Sequence, residues 1–351
     1  MATLDDLGGW KAVLTELTSG HDLPSETAAA AMGQILAGEA TAAQIAAFIV
    51  ALRMKGEAVD EVSGMVDAMV AAAAPITLSP GVDPIDIVGT GGAPSRRVHA
   101  LNVSTMACFV AAGAGVAVCK HGNRKASSTS GSFDLLDALG VAVELDGPAV
   151  ARCVDEAGVG FCFARSFHPA MRHAGPVRAE LGVPTVFNFL GPLSHPAGVR
   201  RQVIGVSDLR VAPVVVGVLQ ARGIDRAMVV HGHDGMDEIT LTGPTTVFEL
   251  VEGAVREYEL EPTSLGIARR DAAEIAGGDQ EVNAAIAHRV FSGEPGSYRD
   301  IVALNAAAGL VVGGVAATLA DGLDAAYASI DEGRAATALA ALVEVSNDAG
   351  S

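Results

Sequence analysis

Positive charge, aromatic side chains and cysteine are all scarce in this 351-residue chain. It has 23 Lys and Arg residues against 41 Asp and Glu residues, which gives a formal net charge of −18 at pH 7. A protein that grips a nucleic-acid backbone needs a basic face, so this balance argues against nucleic-acid binding. Aromatic residues make up only 4% of a chain that is 50% hydrophobic, and alanine supplies much of the apolar excess. Such a composition is typical of helices that pack closely together.

The chain also lacks clear signs of disulfides, of a secretion signal and of a membrane anchor. The cysteines lie in apolar runs without C-x-x-C spacing, and we interpret them as buried, reduced thiols. The N-terminal segment MATLDDLGGW has no basic region, so no signal peptide is expected. The uncharged run 301–320 has the length of a membrane span, but its many small residues favour a buried helix. A cytoplasmic protein that does not contact the membrane is therefore expected.

Two loops rich in glycine and hydroxyl groups stand out from the rest of the chain. The run IDIV indicates a buried strand that stops at Gly89, where the first loop, residues 89–102, begins with GTGG. Asn102 is a good N-cap for an alanine-rich helix with Ser104 and Thr105 in its first turn. The unpaired N–H groups and the helix dipole at such a turn can hold an anion.

The second loop, residues 120–131, follows a short predicted strand and begins with KHGNR. Hydroxyl groups follow at 127–130, and a helix is predicted over 132–139. Neither loop has the G-x-G-x-x-G or G-x-x-x-x-G-K-[ST] spacing, and each alone could be an ordinary turn. Together, and with cations beside them, they favour a phosphate-binding site. The basic side chains near the two loops form a cationic island in the acidic chain: Arg96, Arg97, Lys120, Arg124 and Lys125.

The segment HGHDGMDE, residues 231–238, forms what we call the acidic turn, directly after a predicted strand. Its two histidines suggest zinc, but no matching His or Cys pair appears at a recognisable spacing. The adjacent carboxylates of Asp237 and Glu238 suit Mg²⁺, which prefers oxygen ligands and keeps waters while it bridges phosphates. An acidic surface turn without a metal fits these residues about equally well. Similarly, Arg178 by itself would most often be a solvated or salt-bridged side chain.

The pattern of helices and strands predicts two domains of an α/β protein. Residues 1–77 predict a small all-helical domain, which part of about 168–190 would join. Residues 84–351 predict a larger α/β domain with a mainly parallel central sheet flanked by helices, and the proline-rich segment 75–84 a hinge. After residue 140, strands are predicted at 161–164, 202–206, 227–230 and 246–250, and helices at 148–156, 169–181, 209–221, 279–291 and 298–310. The segment NAAA at 305–308 indicates close helix packing and no chemistry.

The segments GTGG, NVST, KHGNR and SSTSG, in this order, resemble the signature of the anthranilate phosphoribosyltransferases of tryptophan biosynthesis. Later segments agree, namely FARSFHPAMRHAGPVRAELGVPTVFNFLGPLSHPAG, HGHDGMDEIT and LNAAAGLVV, so the resemblance covers nearly the whole chain. It implies transfer of the phosphoribosyl group from phosphoribosyl pyrophosphate to the amine of anthranilate or a similar aromatic acid. It also implies Mg²⁺ as cofactor and a homodimer formed through the helical domain.

The resemblance further implies roles for individual residues. Asp237 and Glu238 would hold Mg²⁺ together with Ser104, and with Lys120 they would be the catalytic groups. Arg178 would meet the carboxylate of the acceptor, which its planar guanidinium matches bidentately. The residues expected to bind the substrates are Gly89, Thr90, Gly91, Gly92, Arg96, Arg97, Asn102, Ser104, Thr105, Lys120, His121, Gly122, Asn123, Ser128, Ser130, Arg178, Gly191 and Pro192.

The first loop departs from the family pattern. The family usually has an aspartate directly after GTGG, whereas this chain has Ala93 and a longer link that carries Arg96, Arg97 and His99. We expect the loop still to grip a diphosphate, with an arginine or His99 taking part. The alternatives are a diverged homologue with another aromatic acceptor, a nucleoside-phosphorylase-like enzyme, and a non-catalytic relative that binds nucleic acid. The net charge of −18 disfavours the last of these.

Overall fold

The computed structural model describes residues 2–92, 100–125 and 129–350 of the chain. The predicted residues Arg96, Arg97 and Ser128 lie outside these ranges. The α-helices within the described ranges are α1 (Gly9–Thr18), α2 (Ser25–Ala37), α3 (Ala42–Lys55), α4 (Val59–Ala72), α5 (Val103–Gly113), α6 (Ser132–Ala138), α7 (Gly147–Ala157), α8 (Ala164–Phe167), α9 (Gly175–Leu181), α10 (Phe187–Leu193), α11 (Ala212–Ala221), α12 (Gln280–Phe291), α13 (Ser297–Val312), α14 (Leu319–Asp331) and α15 (Arg334–Ala349). The strands are β1 (Ile85–Gly89), β2 (Val118–Gly122), β3 (Val159–Phe163), β4 (Arg201–Gly205), β5 (Arg226–Gly232), β6 (Thr245–Val251) and β7 (Ala254–Leu260).

The first four helices form a bundle, and their ends follow from local sequence. Thr41 starts α3 with a capping box. Its hydroxyl accepts from the backbone N–H of Gln44, and the side-chain oxygen of Gln44 accepts from the backbone N–H of Thr41. Gly38 ends α2 in the left-handed region, where glycine has no steric penalty. The bundle packs onto the rest of the molecule through α9, which contacts α3, and through α10 and α11, which contact α4. A small helical domain beside a larger α/β domain is thereby confirmed.

The larger part contains a seven-stranded sheet in the order β3-β2-β1-β4-β5-β6-β7. The first five strands of this order pair in parallel, and β5, β6 and β7 pair antiparallel. The predicted mainly parallel sheet flanked by helices is therefore confirmed. The strand order reverses direction between β1 and β4. In open α/β sheets, ligands bind beyond the carboxyl ends of the strands at such a point.

Two apolar cores cover the two faces of the sheet. Alternate residues of β1 point to opposite faces, so Ile85 and Ile87 belong to the core with α5 and α13, and Val88 belongs to the core with the helical bundle. The first core also holds α7, α14 and α15, and the second runs from α1–α4 through α10 and α11 to β4 and β5. The helical bundle consequently shares its core with one face of the sheet.

Several local predictions differ from the structure. The helix predicted at 169–181 is broken into a 3₁₀ turn, Pro169–His173, and α9, because Gly175 and Pro176 start a new helix. The run 301–320 contains the end of α13 and then a turn at Gly313 and Gly314. Within the described residues, no helix combines the length and the apolar character that crossing a membrane requires. The exact bounds 1–77 and 84–351 and the hinge at 75–84 stay a prediction.

Candidate active site

A cavity of 1080 Å³ opens at the carboxyl ends of β1 and β2 and extends to α9 and α10. It brings together most of the residues predicted for the site, which come from both loops, the acidic turn and the 178–192 segment. The predicted residues that line it are Gly89, Thr90, Gly91, Gly92, Asn102, Ser104, Lys120, His121, Gly122, Asn123, Ser130, Arg178, Gly191, Pro192, Asp237 and Glu238.

Thr105 is not among the residues that line this cavity, and its role as a phosphate ligand stays a prediction. Its side chain is 1% exposed, since it sits on the inward face of α5. Within the described residues its hydroxyl has no hydrogen-bond partner. Ser104, one residue earlier, faces the cavity instead.

The acidic turn is hydrogen-bonded to the first loop and to the start of α5. The amide of Gly91 donates to Asp237 Oδ2 over 2.8 Å, and the amide of Ser104 donates to Glu238 Oε1 over 3.3 Å. Glu238 therefore meets the first turn of α5, where backbone N–H groups are free and the helix dipole favours a negative charge. Both carboxylates are almost fully buried, at 5% and 6% exposure. These contacts hold two acids beside the place where an anionic ligand would meet α5.

Two glycines at neighbouring strand ends make the room for Asp237. Gly89 and Gly205 are paired across β1 and β4. A Cβ atom on Gly89 would lie 2.2 Å from Asp237 Oδ2, and one on Gly205 would lie 1.7 Å from the Asp237 carbonyl oxygen. Gly205 was not among the predicted site residues, because nothing in its local sequence marks it. This cradle, with two carboxylates and the Ser104 hydroxyl on the cavity, fits a Mg²⁺ ion bound by few protein oxygens.

The second loop is joined to the first through Asn102 and Ser130. The Ser130 hydroxyl donates to Asn102 Oδ1 over 2.9 Å, and Asn102 Nδ2 donates to the Ser130 carbonyl over 3.3 Å. Asn102 stands at the N-cap position of α5, but its side chain makes no capping bond there, contrary to expectation. Gly131 is needed where the chain passes itself, because a Cβ there would lie 2.4 Å from the Lys125 amide nitrogen.

Two side chains of the cationic island, Lys120 and Arg124, are already bonded to other groups of the protein. Lys120 is 1% exposed, and its ammonium donates to the Ile87 carbonyl over 2.5 Å. Arg124 forms an ion pair with Asp137 and lies 3.5 Å from an oxygen of Asp134. Lys120 lines the cavity and has three N–H donors, so it keeps capacity for a ligand. Arg124, in contrast, is already paired with acids of α6.

Arg178, on α9, is a half-buried cation whose guanidinium lies over the Phe187 ring, 5.3 Å from its centre. Burial lowers the pKa of Arg178, because a charged group is harder to keep away from water. The structure gives Arg178 no carboxylate partner among the described residues. An unpaired guanidinium on the wall of a cavity is suited to an anionic ligand, and a planar carboxylate matches it best.

His121 and His168 meet edge to face on the cavity wall, with ring centres 5.3 Å apart. Burial, with repulsion from the other histidine as the next cause, holds the pKa of His121 well below its usual value. Burial also lowers the pKa of His168 to about 4. Both rings are therefore neutral at pH 7. His168 was not among the predicted site residues, although the HPAM segment could have drawn attention to it.

All four cysteines are buried and free, as expected. Cys119 and Cys162 lie 3.3 Å apart with His195 close by, and this is the one group of three potential metal ligands in the described residues. Both ring nitrogens of His195 already have hydrogen-bond partners, so neither is placed to bind a metal. Its Nδ1 accepts from the Ala197 amide, so Nε2 carries the proton and donates to the Cys119 carbonyl over 2.8 Å.

Family models match both parts of the chain. One described as the glycosyl transferase family, helical bundle domain, matches residues 11–73, and one described as the glycosyl transferase family, a/b domain, matches residues 81–336. The helical bundle, the sheet and the cavity at its carboxyl edge are thus those of a glycosyl transferase.

Individual relatives narrow this class. The anthranilate phosphoribosyltransferase of Arthrobacter sp. (strain FB24) is 49% identical over 94% of each chain. The crystal structure of anthranilate phosphoribosyltransferase (TrpD) from Thermus thermophilus superposes with a TM-score of 0.89, at 42% identity over 95% of this chain and 99% of that one.

The Saccharomyces cerevisiae enzyme in complex with PRPP and Mg has 27% identity over 97% of this chain and 98% of that one, with a TM-score of 0.87. Its complex with 4-fluoroanthranilate has 26% identity, 97% and 99% coverage and a TM-score of 0.85. The present chain belongs to the anthranilate phosphoribosyltransferase family, and it is an enzyme of the glycosyltransferase class.

Proposed function

We propose that this enzyme transfers the phosphoribosyl group from phosphoribosyl pyrophosphate to the amine of anthranilate. The products are N-(5-phosphoribosyl)anthranilate and pyrophosphate, a step of tryptophan biosynthesis. The observation that carries the proposal is one cavity that contains both an acidic turn beside two loops and a half-buried arginine on its wall. The first set suits a metal-bound diphosphate, and the second suits the carboxylate of an aromatic acid.

The donor is proposed to lie against the two loops. Gly91, Gly92 and Ser104 line the cavity here, and the two glycines adopt φ angles of +69° and +82° that favour glycine. Asn102 and Ser130 hold the two loops together, so that they can contact one ligand from two sides. Lys120 contributes a buried positive charge at the floor of the cavity.

The magnesium ion is proposed to be held by Asp237, Glu238 and Ser104. When bound, it supplies positive charge that stabilises the departing pyrophosphate. The chain's own part is to fix the two carboxylates, through the Gly91 and Ser104 amides, before the donor arrives. Such preorganisation is effective because the charges need not reorient during the reaction.

The acceptor is proposed to lie between Arg178, the neutral His121 and the last turn of α10 at Gly191 and Pro192. Gly191 brings the chain close to His121, since a Cβ there would lie 3.4 Å from its ring. As the C1–O bond to pyrophosphate breaks, the C1–N bond forms, and the nitrogen then loses one proton to solvent or to the departing pyrophosphate. An aniline nitrogen is neutral and nucleophilic at neutral pH, so orientation rather than a strong base would provide the rate enhancement.

The remaining proposals concern the whole enzyme. From the family resemblance we propose a homodimer, located in the cytoplasm, in which the small helical domain extends over about 1–77. The link 75–84 is proposed as a hinge that opens the cavity for substrates. Nucleic acid and membrane are not among the proposed partners.

The activity is tested by mixing the purified chain with phosphoribosyl pyrophosphate, Mg²⁺ and anthranilate and following the loss of anthranilate fluorescence. We expect a loss that requires all three components and that releases one pyrophosphate per anthranilate consumed. Phosphorolysis of nucleosides by inorganic phosphate, without any loss of anthranilate, would support the nucleoside-phosphorylase alternative instead.

A further inference from the structure

A fully buried asparagine of α13 grips the acidic turn immediately after the two carboxylates. Asn305 is 2% exposed, and its Oδ1 accepts from the Ile239 amide over 3.0 Å. Its Nδ2 donates to the Ile239 carbonyl and to the Ile301 carbonyl, each over 2.9 Å. Both backbone groups of the residue that follows Glu238 are thus bound by one side chain, which the sequence alone had suggested only as part of a packing segment.

The helix that carries Asn305 is itself fixed on the sheet. Gly309 lies one turn further along α13, and a Cβ on it would come within 2.6 Å of the Ile87 side chain in β1. The helix therefore packs closely against the Ile87 side chain at this glycine. β1 ends at Gly89, which lies against Asp237. Because α13 contacts β1 at Gly309 and the acidic turn at Asn305, it holds the turn in place relative to the end of β1.

A second buried asparagine, on the preceding helix α12, grips the other half of the donor site. Asn283 is 0% exposed, and its Nδ2 donates over 2.8 Å to the Ala100 carbonyl and to Asn102 Oδ1. Its Oδ1 accepts from the Gly278 amide over 2.9 Å. Through Asn102, which also accepts from Ser130, Asn283 supports the point where the two loops join.

We propose that Asn305 and Asn283 are positioning residues that divide the donor site between them: Asn305 sets the carboxylates for the metal, and Asn283 sets the loops for the phosphates. The proposal rests on the proposed function. Amides suit this task because one side chain can both donate to carbonyls and accept from an N–H, and because a buried backbone group left unpaired is costly. Residues behind metal ligands commonly affect metal binding without touching the metal.

The test uses two shape-matched variants of the full-length chain, Asn305→Leu and Asn283→Leu. Calorimetry measures the affinity for phosphoribosyl pyrophosphate with and without Mg²⁺, and the ratio of the two affinities is the gain due to the metal. We expect Asn305→Leu to lower this gain by about 10-fold or more while the affinity without metal stays near that of the parent. Asn283→Leu should weaken the affinity without metal and leave the gain unchanged.

The steady-state kinetics provide a second readout. The Mg²⁺ concentration that gives half-maximal rate should rise in Asn305→Leu only, and the KM for anthranilate should be unchanged in both variants. If Asn305→Leu does not fold, Asn305→Ser takes its place, because its hydroxyl can return a bond to the Ile301 carbonyl within α13 but lacks the reach to Ile239. Failure of both variants to fold would make Asn305 purely structural and overturn the proposal.

The outcomes separate the two proposals. A parent protein that does not bind phosphoribosyl pyrophosphate contradicts the proposed function. A parent that binds and shows the metal gain, alongside a folded Asn305→Leu that keeps the whole gain, overturns only the positioning roles. Equal losses of the same parameters in both variants would do the same, because they would reflect general destabilisation.

Discussion

Arg178 is the residue with the most direct consequence for acceptor binding. Replacing it with alanine should remove a charge-assisted pair worth about 1.5–3 kcal/mol, equivalent to roughly a 10- to 150-fold higher KM for anthranilate. The KM for phosphoribosyl pyrophosphate should barely change. Arg172→Ala is the matched control, because this exposed neighbour lines the same cavity and donates to the Pro169 carbonyl. Equal weakening of both substrates in Arg178→Ala would place this residue at the donor end.

The two acids of the acidic turn are testable as a pair. Asp237→Asn together with Glu238→Gln keeps the shape of both side chains but removes the charges that attract Mg²⁺. We expect turnover to be abolished, since loss of metal-borne charge stabilisation should raise the barrier by several kcal/mol. Circular dichroism should show an intact fold. Parent-like rates of the double variant across a range of Mg²⁺ concentrations would rule out the metal assignment.

His168 links the site to the pH dependence of stability. Its pKa falls from 6.5 in the unfolded chain to about 4 in the fold. The unfolded chain therefore binds this proton more tightly, and the folded protein loses roughly 3 kcal/mol as pH falls through that window. In His168→Gln this loss disappears, so unfolding free energies of variant and parent should converge or cross between pH 7 and pH 4. A His168→Gln variant whose unfolding free energy follows that of the parent at every pH between 7 and 4 would contradict the assignment.

At the scale of secondary-structure elements, the paired ends of β1 and β4 set the position of the acidic turn, because Gly89 and Gly205 both lie against Asp237. Gly205→Ala would place a methyl group 1.7 Å from the Asp237 carbonyl oxygen, so the turn must move. We expect a cost of about 1–3 kcal/mol in unfolding free energy, measured by denaturant titration, and a rise in the Mg²⁺ requirement. Gly33→Ala is the control, because its methyl group would meet nothing within 4 Å on α2. Parent-like stability and metal dependence of Gly205→Ala would show that the cradle is not needed.

The same scale explains which elements could be predicted from sequence. Apolar periodicity and helix caps predicted the all-helical character of the N-terminal segment and the strands before both loops, because these signals are local. The break between the 3₁₀ turn at Pro169–His173 and α9 was missed, since a Gly-Pro pair can stand inside a predicted helix or start a new one. The antiparallel strand β7 was missed as well. Its exposed, charged residues carry little apolar signal, and pairing with β6 stabilises it.

At the scale of the whole molecule, the shared core predicts one cooperative unfolding transition. Trp10, the only tryptophan of the chain, lies on α1 against Phe48 and reports on the helical bundle. The core around it continues to Ile204 and Val229 in the sheet. We expect Trp10 fluorescence and far-ultraviolet circular dichroism to change at the same denaturant concentration. A fluorescence change at clearly lower denaturant would mean that the bundle unfolds by itself.

The amino-acid sequence by itself determined the fold class, the family and many of the residues that line the cavity. This was possible because turn glycines, helix caps and hydrophobic periodicity act over a few residues, and because the loop motifs occur together in order. The placement of charges was decided by tertiary structure. Gly91 and Asp237 are 146 residues apart in sequence, and only the fold makes them hydrogen-bond partners.

Contacts between distant segments also explain why the surroundings of several site residues could not be predicted from sequence. Thr105 and Ser104 are neighbours of similar chemistry, yet the packing of α5 buries one and turns the other to the cavity. Arg124 is neutralised by Asp137, whereas Arg178 has no such acid among its described neighbours. A side chain's type sets what it can bind. What it does bind depends on the groups that distant segments bring within a few ångströms, because the desolvation that strengthens or weakens a charge arises only on packing.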